Sequence, residues 1–582
     1  MQNKLYAAAA IIAAALFSAS CGRTLKDGDY TLTILSTNDV HGTWFDSTYV
    51  GGGIRKSIFA INHYVDSVRK AEGAGNVLLV DAGDCLQGDN AAYYYNYVDT
   101  ASTHLFSRIM EYMRYDAVAV GNHDIETGHP VYDRVSVELK KGGADFLAGN
   151  AIRNDGRGTY FPLYKMVSKA GLRIAVLGYT NANIKAWLNE SLWSGMHFES
   201  VAALIQKDVD MVRAKERPDV VVVTMHSACG QGDGTILESE ALDCFNSVRG
   251  VDWLICGHDH IPYTEVRDSC ALLNSGSHSR FLAHGKMHLS VKDGKIVSRE
   301  FTTDLIPVKA ECADTAMREA FRKDFLAVKQ FTTREVGTLT KDVCTRDSYM
   351  GQSDYMNILH TLQMSADGVE ISIAAPLTFD GRVKAGKLIY HDLFTIYPFE
   401  NQLYVVNMTG EEIRLMLEES YDRWIQSGSP QVLKIRNADN PRTGTRDWSF
   451  VRESFNFDSA AGINYQVYPL RPKGSRVVIS SMADGAAFSG EKTYKVGMTS
   501  YRASGGGNLL AAAGIGPDQV DGRIVARLPE LRNVLYDYLM KNGSLDPEAM
   551  APALGKWSFE PAQVRERIKK DFDLVFANRA LK

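Results

Sequence analysis

Five short segments of the chain carry side chains that could hold metal ions. In order they are Asp39-Val40-His41, Gly83-Asp84, Gly121-Asn122-His123-Asp124, His226 and Gly257-His258-Asp259-His260. A mixture of Asp, Asn and His without thiolates suits borderline or hard divalent ions such as Zn, Mn, Co or Fe. Each segment alone says little, because a single His at the end of a strand is more often a hydrogen-bonded core residue. GNHD and GHDH say more, since neighbouring polar groups just after a buried strand rarely satisfy one another. His123 follows Asn122 and so faces the same cleft without necessarily binding metal. Glycines beside these residues let the backbone turn sharply where a strand ends.

The elements that must position them are legible as apolar runs. TLTILS (31–36), NVLLVDAGD (76–84), AVAVGNHD (117–124), DFLAGN (145–150), RIAVLGYT (173–180), DVVVVTMHS (219–227) and DWLICGHDH (252–260) lack strict alternation, as expected of strands buried on both faces. The stretches 55–70 and 198–215 carry apolar residues at helical spacing. Strand–helix alternation argues a layered α/β domain, and ligands of such sheets gather in the crevice at the strands' carboxyl ends. Residues 310–330 read as one charged amphipathic helix, a linker placed at 309–332. Beyond it, strands and helices mix less regularly. The expected division is therefore 30–308, the linker, and 333–582.

The order D-x-H, GD, GNH followed by Asp or Glu, H, and GHxH resembles the calcineurin-like metallophosphoesterases. The order together with the second half resembles their 5′-nucleotidase family, over roughly residues 30–560. The resemblance implies a four-layer α/β/β/α metallophosphoesterase domain followed by an α+β substrate-binding domain. It implies two divalent cations, one on Asp39, His41, Asp84 and His260, the other on Asp84, Asn122, His226 and His258, with Asp84 bridging. Such a pair can clamp phosphoryl oxygens and lower the pKa of water for in-line attack. His123 takes the family's role at the substrate phosphate, held by Glu126, where the family more often has Asp.

In the second half, IAAPLTFDGR (373–382), YPFENQLYVVNMTGEEIRLMLEES (397–420), NFDSAAGINYQV (456–467) and SYRASGGGNLL (500–510) resemble the family's substrate-binding domain. By that resemblance Phe399 and Tyr501 sandwich a nucleobase, while Arg382 and Asn401 contact ribose or base. Two departures stand out: Ala374-Ala375-Pro376-Leu377 replaces a glycine-rich stretch, and Gly507 stands where the family has an Asp that binds ribose hydroxyls. Both resemble the 2′,3′-cyclic-nucleotide 2′-phosphodiesterase/3′-nucleotidase branch. A 5′-nucleotidase or UDP-sugar hydrolase of the same fold is the alternative, and a non-catalytic nucleotide-binding surface protein is a distant third.

Composition bounds the rest. At 582 residues the chain is too long for one core, and 45% hydrophobic with 23% charged residues is ordinary globular usage. With 64 basic and 69 acidic residues the net charge is −5, which offers no footprint for a nucleic-acid polymer. Lys4, the apolar run from Tyr6 to Phe17 and Ser18-Ala19-Ser20 read as an export signal. Cys21 after them resembles the lipidated cysteine of bacterial lipoproteins, although Ser18 stands where Leu is usual. The expectation is an exported monomer facing the periplasm or cell surface, touching the membrane only through an N-terminal lipid. Seven further cysteines include no CxxC pair, and none is assigned to a disulfide.

Overall fold

The computed structural model describes residues 25–427, 429–439 and 446–577. The candidate lipidation residue Cys21 and its leader lie outside them. Two six-stranded sheets form the centre of the first half. One runs Lys295–Pro307, Phe281–Lys292, Gly28–Thr37, Val77–Asp81, Ala117–Ala119, Asp145–Leu147; the other runs Pro262–Arg267, Cys270–Ser275, Trp253–Ile255, Val220–Met225, Leu172–Tyr179, Tyr164–Lys169. The sheets face each other across a shared core in which Ile34, Leu78 and Val80 of the first meet Ile174, Val222 and Trp253 of the second. Their outer faces are covered by helices, Ile58–Glu72 and Leu105–Met113 on one side and Val201–Glu216 on the other. This is the four-layer α/β/β/α arrangement. It explains the unalternating apolar runs, for Val77–Asp81 and Val220–Met225 are buried at every position.

The linker is not one helix. A 3₁₀ turn at Ala310–Cys312 precedes helices Thr315–Ala320 and Arg322–Thr332. Asp314 starts the first by accepting hydrogen bonds from Ala316 and Met317, and Phe321 leaves helical backbone angles between the two. The segment also does not stand free: Met317, Phe321 and Val328 are buried in the first domain's core, and Phe325 stacks on Tyr49. Helical periodicity showed its apolar face, whereas the break comes from tertiary packing that local pattern does not encode.

The second half is α+β. Its five-stranded sheet runs Ser459–Ala461, Ile371–Ala374, Thr493–Thr499, Gln402–Thr409, Ile524–Glu530, with helices Asp354–Met364, Gly410–Trp424 and Leu531–Asn542 around it. The two halves meet where Tyr93 of the first enters a cluster formed otherwise by Phe331 and second-half residues such as Tyr390 and Phe394. Tyr93 donates to Asn533 Oδ1 at 3.0 Å, and Asn90 Nδ2 lies 2.9 Å from His391 Nδ1. The seven cysteines among the described residues are free thiols.

Candidate active site

Five neighbouring parallel strands end at one edge between the two sheets. Gly28–Thr37, Val77–Asp81 and Ala117–Ala119 pair in parallel in the first sheet, and Val220–Met225 and Trp253–Ile255 in the second. Thr224 Oγ1 donates to Asp81 O at 3.1 Å and ties the sheets together beneath that edge. Each segment singled out in the sequence begins within three residues of one of these strand ends, so residues far apart in the chain converge.

They converge as two groups. Asp39, His41 and His260 form one, and Asp84, His226 and His258 the other, with candidate ligand atoms within 4.8 Å of one another in each. Asp39, His41, Asp84, His258 and His260 all have φ between 49° and 80°. Left-handed backbone at a non-glycine residue is disfavoured and persists only where its surroundings impose it, which ties this cluster of strain to function. Gly121 shows how tight the packing is: a Cβ there would overlap the Asp84 backbone and carboxylate.

The donor atoms are already oriented. Asp39 Oδ2 accepts from His258 N at 2.9 Å and Asn38 Nδ2 at 2.7 Å, which leaves Oδ1 buried without a hydrogen-bond partner. His226 Nδ1 faces Ala82 O at 2.8 Å and His41 Nδ1 faces Gln87 O at 3.2 Å, so each directs Nε2 inward. His226 Nε2 lies 3.0 Å from Asp84 Oδ2, and His41 Nε2 lies 3.0 Å from His260 Nε2. Asn122 Oδ1 is also buried and unpartnered. Unsatisfied buried oxygens and facing imidazole nitrogens are the donor set a pair of divalent cations would satisfy, and the residues therefore fit such a pair.

The electrostatics agree. Burial alone would raise the pKa values of Asp39 and Asp84, yet His260 holds the first and His226 and His123 hold the second below the usual carboxylate range. Burial, with His260 and His226 respectively, lowers His41 to about 4 and His258 to about 3, so both are neutral and able to ligate. Burial opposes protonation of His226, but Asp84 lifts it to about 9; a cation there would compete with that proton.

His123 sits at the mouth of this centre. Its backbone N donates to Asp84 Oδ1 at 2.8 Å and its Nδ1 lies 2.5 Å from Glu126 Oε2. Against the effect of burial, Asp84 and then Glu126 raise it to about 10. The longer arm of Glu therefore reaches the ring where the family more often has Asp. Asp124, quoted in the motif but given no role from sequence, accepts from the backbone N–H groups of Gly121, Asp84, Cys85 and Leu86 at 2.7–3.0 Å. One buried carboxylate thus binds two ligand-bearing turns together.

A cavity of about 290 Å³ runs from Asn122, His123 and His258 to Phe399, Asn401 and Tyr501 in the second half. Phe455, which sequence reasoning missed, closes it between the two expected walls. Its ring lies 6.2 Å from Phe399 at 79° and 6.4 Å from Tyr501 at 85°. Arg502 fixes this corner: it pairs with Asp458 at 2.7 Å and donates to Phe455 O at 3.0 Å and to Gly506 O. Arg382 is not part of it. Its guanidinium pairs with Asp342 at 2.6 Å on a partly exposed surface and is absent from the cleft lining. The assignment of Arg382 to ribose or base is thereby corrected: Arg382 is held at the pairing of Val343–Cys344 with Arg382–Val383, away from the strand ends that carry Phe399 and Tyr501.

Comparison with known proteins bears on this arrangement directly. Residues 32–262 match the calcineurin-like phosphoesterase family and residues 335–514 match the 5′-nucleotidase C-terminal domain. The chain belongs to the 5′-nucleotidase family of calcineurin-like metallophosphoesterases and is a hydrolase of phosphoric esters. Among its relatives is the trifunctional nucleotide phosphoesterase protein YfkN of Bacillus subtilis, 22% identical over 91% of this chain; the match spans only 39% of that much longer protein. Another is the 2′,3′-cyclic-nucleotide 2′-phosphodiesterase/3′-nucleotidase of Haemophilus influenzae, 23% identical over 95% of this chain and 91% of its own. A Staphylococcus aureus protein assigned as a 5′-nucleotidase shares the fold, with a TM-score of 0.75 at 20% identity, over 91% of this chain and 100% of that one.

Proposed function

We propose that this protein is an exported, dinuclear-metal nucleotide phosphoesterase of the 2′,3′-cyclic-nucleotide 2′-phosphodiesterase/3′-nucleotidase type. The observation that carries the nucleotide reading is a single cavity lined at one end by Asn122, His123 and His258, with His41 of the other donor group 5.5 Å from the His123 ring, and at the other end by three aromatic rings. A base stacked between Phe399 and Tyr501, against the edge formed by Phe455, leaves its phosphoester to reach toward Asn122 and His123. Asp39, His41, Asp84 and His260 would hold one cation, and Asp84, Asn122, His226 and His258 the other. When bound, such a pair supplies Lewis acidity to the phosphoryl oxygens and a water of lowered pKa.

The chain's own residues do the rest. His123, kept protonated by Asp84 and Glu126, offers a proton or hydrogen bond to the phosphoryl group or leaving oxygen.

The branch is supported by the relative from Haemophilus influenzae and by Gly507. A side chain there would overlap Arg502 and Asn456, so this loop carries no carboxylate for ribose hydroxyls. Export and a lipid on Cys21 rest on the leader sequence. Among the described residues no helix is long and apolar enough to cross a membrane.

Phosphate release from 5′-AMP, 3′-AMP, 2′,3′-cyclic AMP and UDP-glucose, measured side by side with Mn²⁺ or Zn²⁺, tests this. The expected result is turnover of 3′-AMP and 2′,3′-cyclic AMP well above the other two. Preference for 5′-AMP or UDP-glucose overturns the branch, and no turnover of any overturns the activity.

A further inference from the structure

Two thiols that the reaction does not use lie beside the second donor group. Cys229 Sγ and Cys256 Sγ are 3.7 Å apart, and no other two cysteines among the described residues make a sulfur–sulfur contact. They follow neighbouring parallel strands: Val220–Met225 runs into the turn 226–229, and Trp253–Ile255 into the turn 256–259. Each turn carries one member of the donor group, His226 three residues before Cys229 and His258 two residues after Cys256. Cys229 is half-buried, whereas Cys256 is fully buried.

The turns are already held together by hydrogen bonds. Cys229 N donates to Asp259 Oδ2 at 3.0 Å and Gly257 N to Ser227 O at 3.4 Å. The two histidines differ in what fixes them. His226 is oriented by Ala82 O, 2.8 Å from its Nδ1. His258 depends on its own turn: its φ is 80°, its backbone N donates to Asp39 Oδ2 at 2.9 Å, and its ring stacks on Trp187 at 5.3 Å and 22°. Left-handed backbone at a non-glycine residue is kept only by its surroundings, so a bond at the root of this turn bears directly on where the ring sits.

From this placement we propose that Cys229 and Cys256 are an oxidation site: joined as a disulfide, they clamp the two ligand-bearing turns together and slow the loss of the second cation. The clamp rests on the dinuclear reading of the site. The oxidant is an external disulfide, which an exported chain meets and a reducing compartment lacks. Cys229, the accessible thiol, attacks that disulfide as its thiolate, forming a mixed disulfide and expelling one external thiol. Cys256 then attacks the Cys229 sulfur, forming the internal bond and expelling the second. The external disulfide thus takes both electrons, and the two cysteine protons go to the thiols released. The second step is internal, so burial of Cys256 does not prevent it.

Peptide mapping without reduction tests the bond, using the full chain loaded with Mn²⁺ and exposed to oxidised glutathione. A Cys229–Cys256 cross-link is expected, while the half-buried Cys312 and Cys344, each without a neighbouring thiol, carry at most glutathione. Metal analysis during treatment with EDTA tests the clamp. One of the two ions is expected to leave about tenfold more slowly from the oxidised than from the reduced protein, the low end of what outer partners of metal ligands contribute. Dithiothreitol should restore the faster loss. Cys229→Ser and Cys256→Ala remove the bond from either side, and in each the oxidised and reduced samples should lose metal alike. Absence of the cross-link from protein that acquires glutathione elsewhere overturns the oxidation site. A cross-link with unchanged metal loss overturns the clamp, as does a slowing that survives either substitution. Failure of the reduced protein to hold two ions overturns instead the dinuclear reading.

Discussion

At the scale of single residues, the site separates groups that would hold metal from one that would move a proton. Asp84 presents Oδ2 to His226 while Oδ1 accepts from His123 N, so it stands between the second donor group and the cleft. Asp84→Ala is expected to abolish turnover and to deplete both metals together, as removal of a shared anionic ligand should. Metal analysis of the folded variant checks this, and two ions retained at normal affinity would sink the bridging role. His123→Ala should behave differently, because neither donor group needs its ring. Metal content should stay near normal while kcat falls on the order of 10²–10⁴, the usual range for a positioned acid–base group. Loss of metal with that substitution would make His123 a ligand. These residues were readable from sequence because each follows a strand end, where glycine-flanked polar pairs have no structural reason to occur. Phe455 and Asp124 were not: an isolated Phe looks like core, and an Asp that accepts four backbone amides is known only once two turns are brought together.

At the scale of elements, the aromatic cleft depends on a residue that never enters it. Arg532, fully buried on helix Leu531–Asn542, donates to the carbonyls of Tyr397, Pro398 and Phe399 at 2.9–3.1 Å and lies 3.9 Å over the Phe394 ring. It thereby fixes the loop that carries Phe399. Replacing it by Met keeps volume and loses all three bonds. KM for nucleotides is expected to rise roughly 3- to 30-fold, part of the 1–3 kcal/mol that base–aromatic stacking supplies. Hydrolysis of bis-p-nitrophenyl phosphate should change little, and a parallel fall in both activities would show general loosening instead.

Another buried group sets a pH response. His360 on helix Asp354–Met364 lies 2.8 Å from Ser372 Oγ and 3.3 Å from Ser459 Oγ, and burial lowers it to about 3. The unfolded chain binds this proton near pH 6.5 and the folded chain only near pH 3. His360 therefore favours folding fully above 6.5 and loses that contribution as pH falls between the two values, at about 1.4 kcal/mol per pH unit. His360→Gln should flatten the acid limb of stability, measured by denaturant unfolding from pH 7 to 4, relative to the unaltered protein; superimposable limbs would refute the assignment. Elements such as strand Val220–Met225 were legible because burial on both faces leaves an unbroken apolar run. The break at Phe321 and the place of Arg382 were not, since both depend on partners distant in sequence.

At the scale of the whole molecule, the active site exists only while two domains stay docked, because the metal-type groups belong to one and the aromatic rings to the other. Tyr93 is the first domain's main insertion into the second. Its ring lies 5.6 Å from Phe394, 6.3 Å from Phe331 and 5.2 Å from the Arg532 guanidinium, and its hydroxyl bonds Asn533. It thus touches the residue that fixes Phe399, so docking and base recognition share a contact. Tyr93→Ala should cost about 3–5 kcal/mol, the usual loss for a buried large aromatic. The loss should fall mainly on docking, so that calorimetric unfolding, if one cooperative step in the unaltered protein, separates into two. Because Arg532 loses its neighbour, KM for nucleotides should rise while bis-p-nitrophenyl phosphate turnover at the metal end persists. Tyr93→Phe isolates the hydroxyl: it removes one hydrogen bond worth about 1 kcal/mol and should leave unfolding cooperativity unchanged. Unaltered cooperativity and KM in Tyr93→Ala would mean that other contacts dock the domains and that Tyr93 merely fills the gap between them.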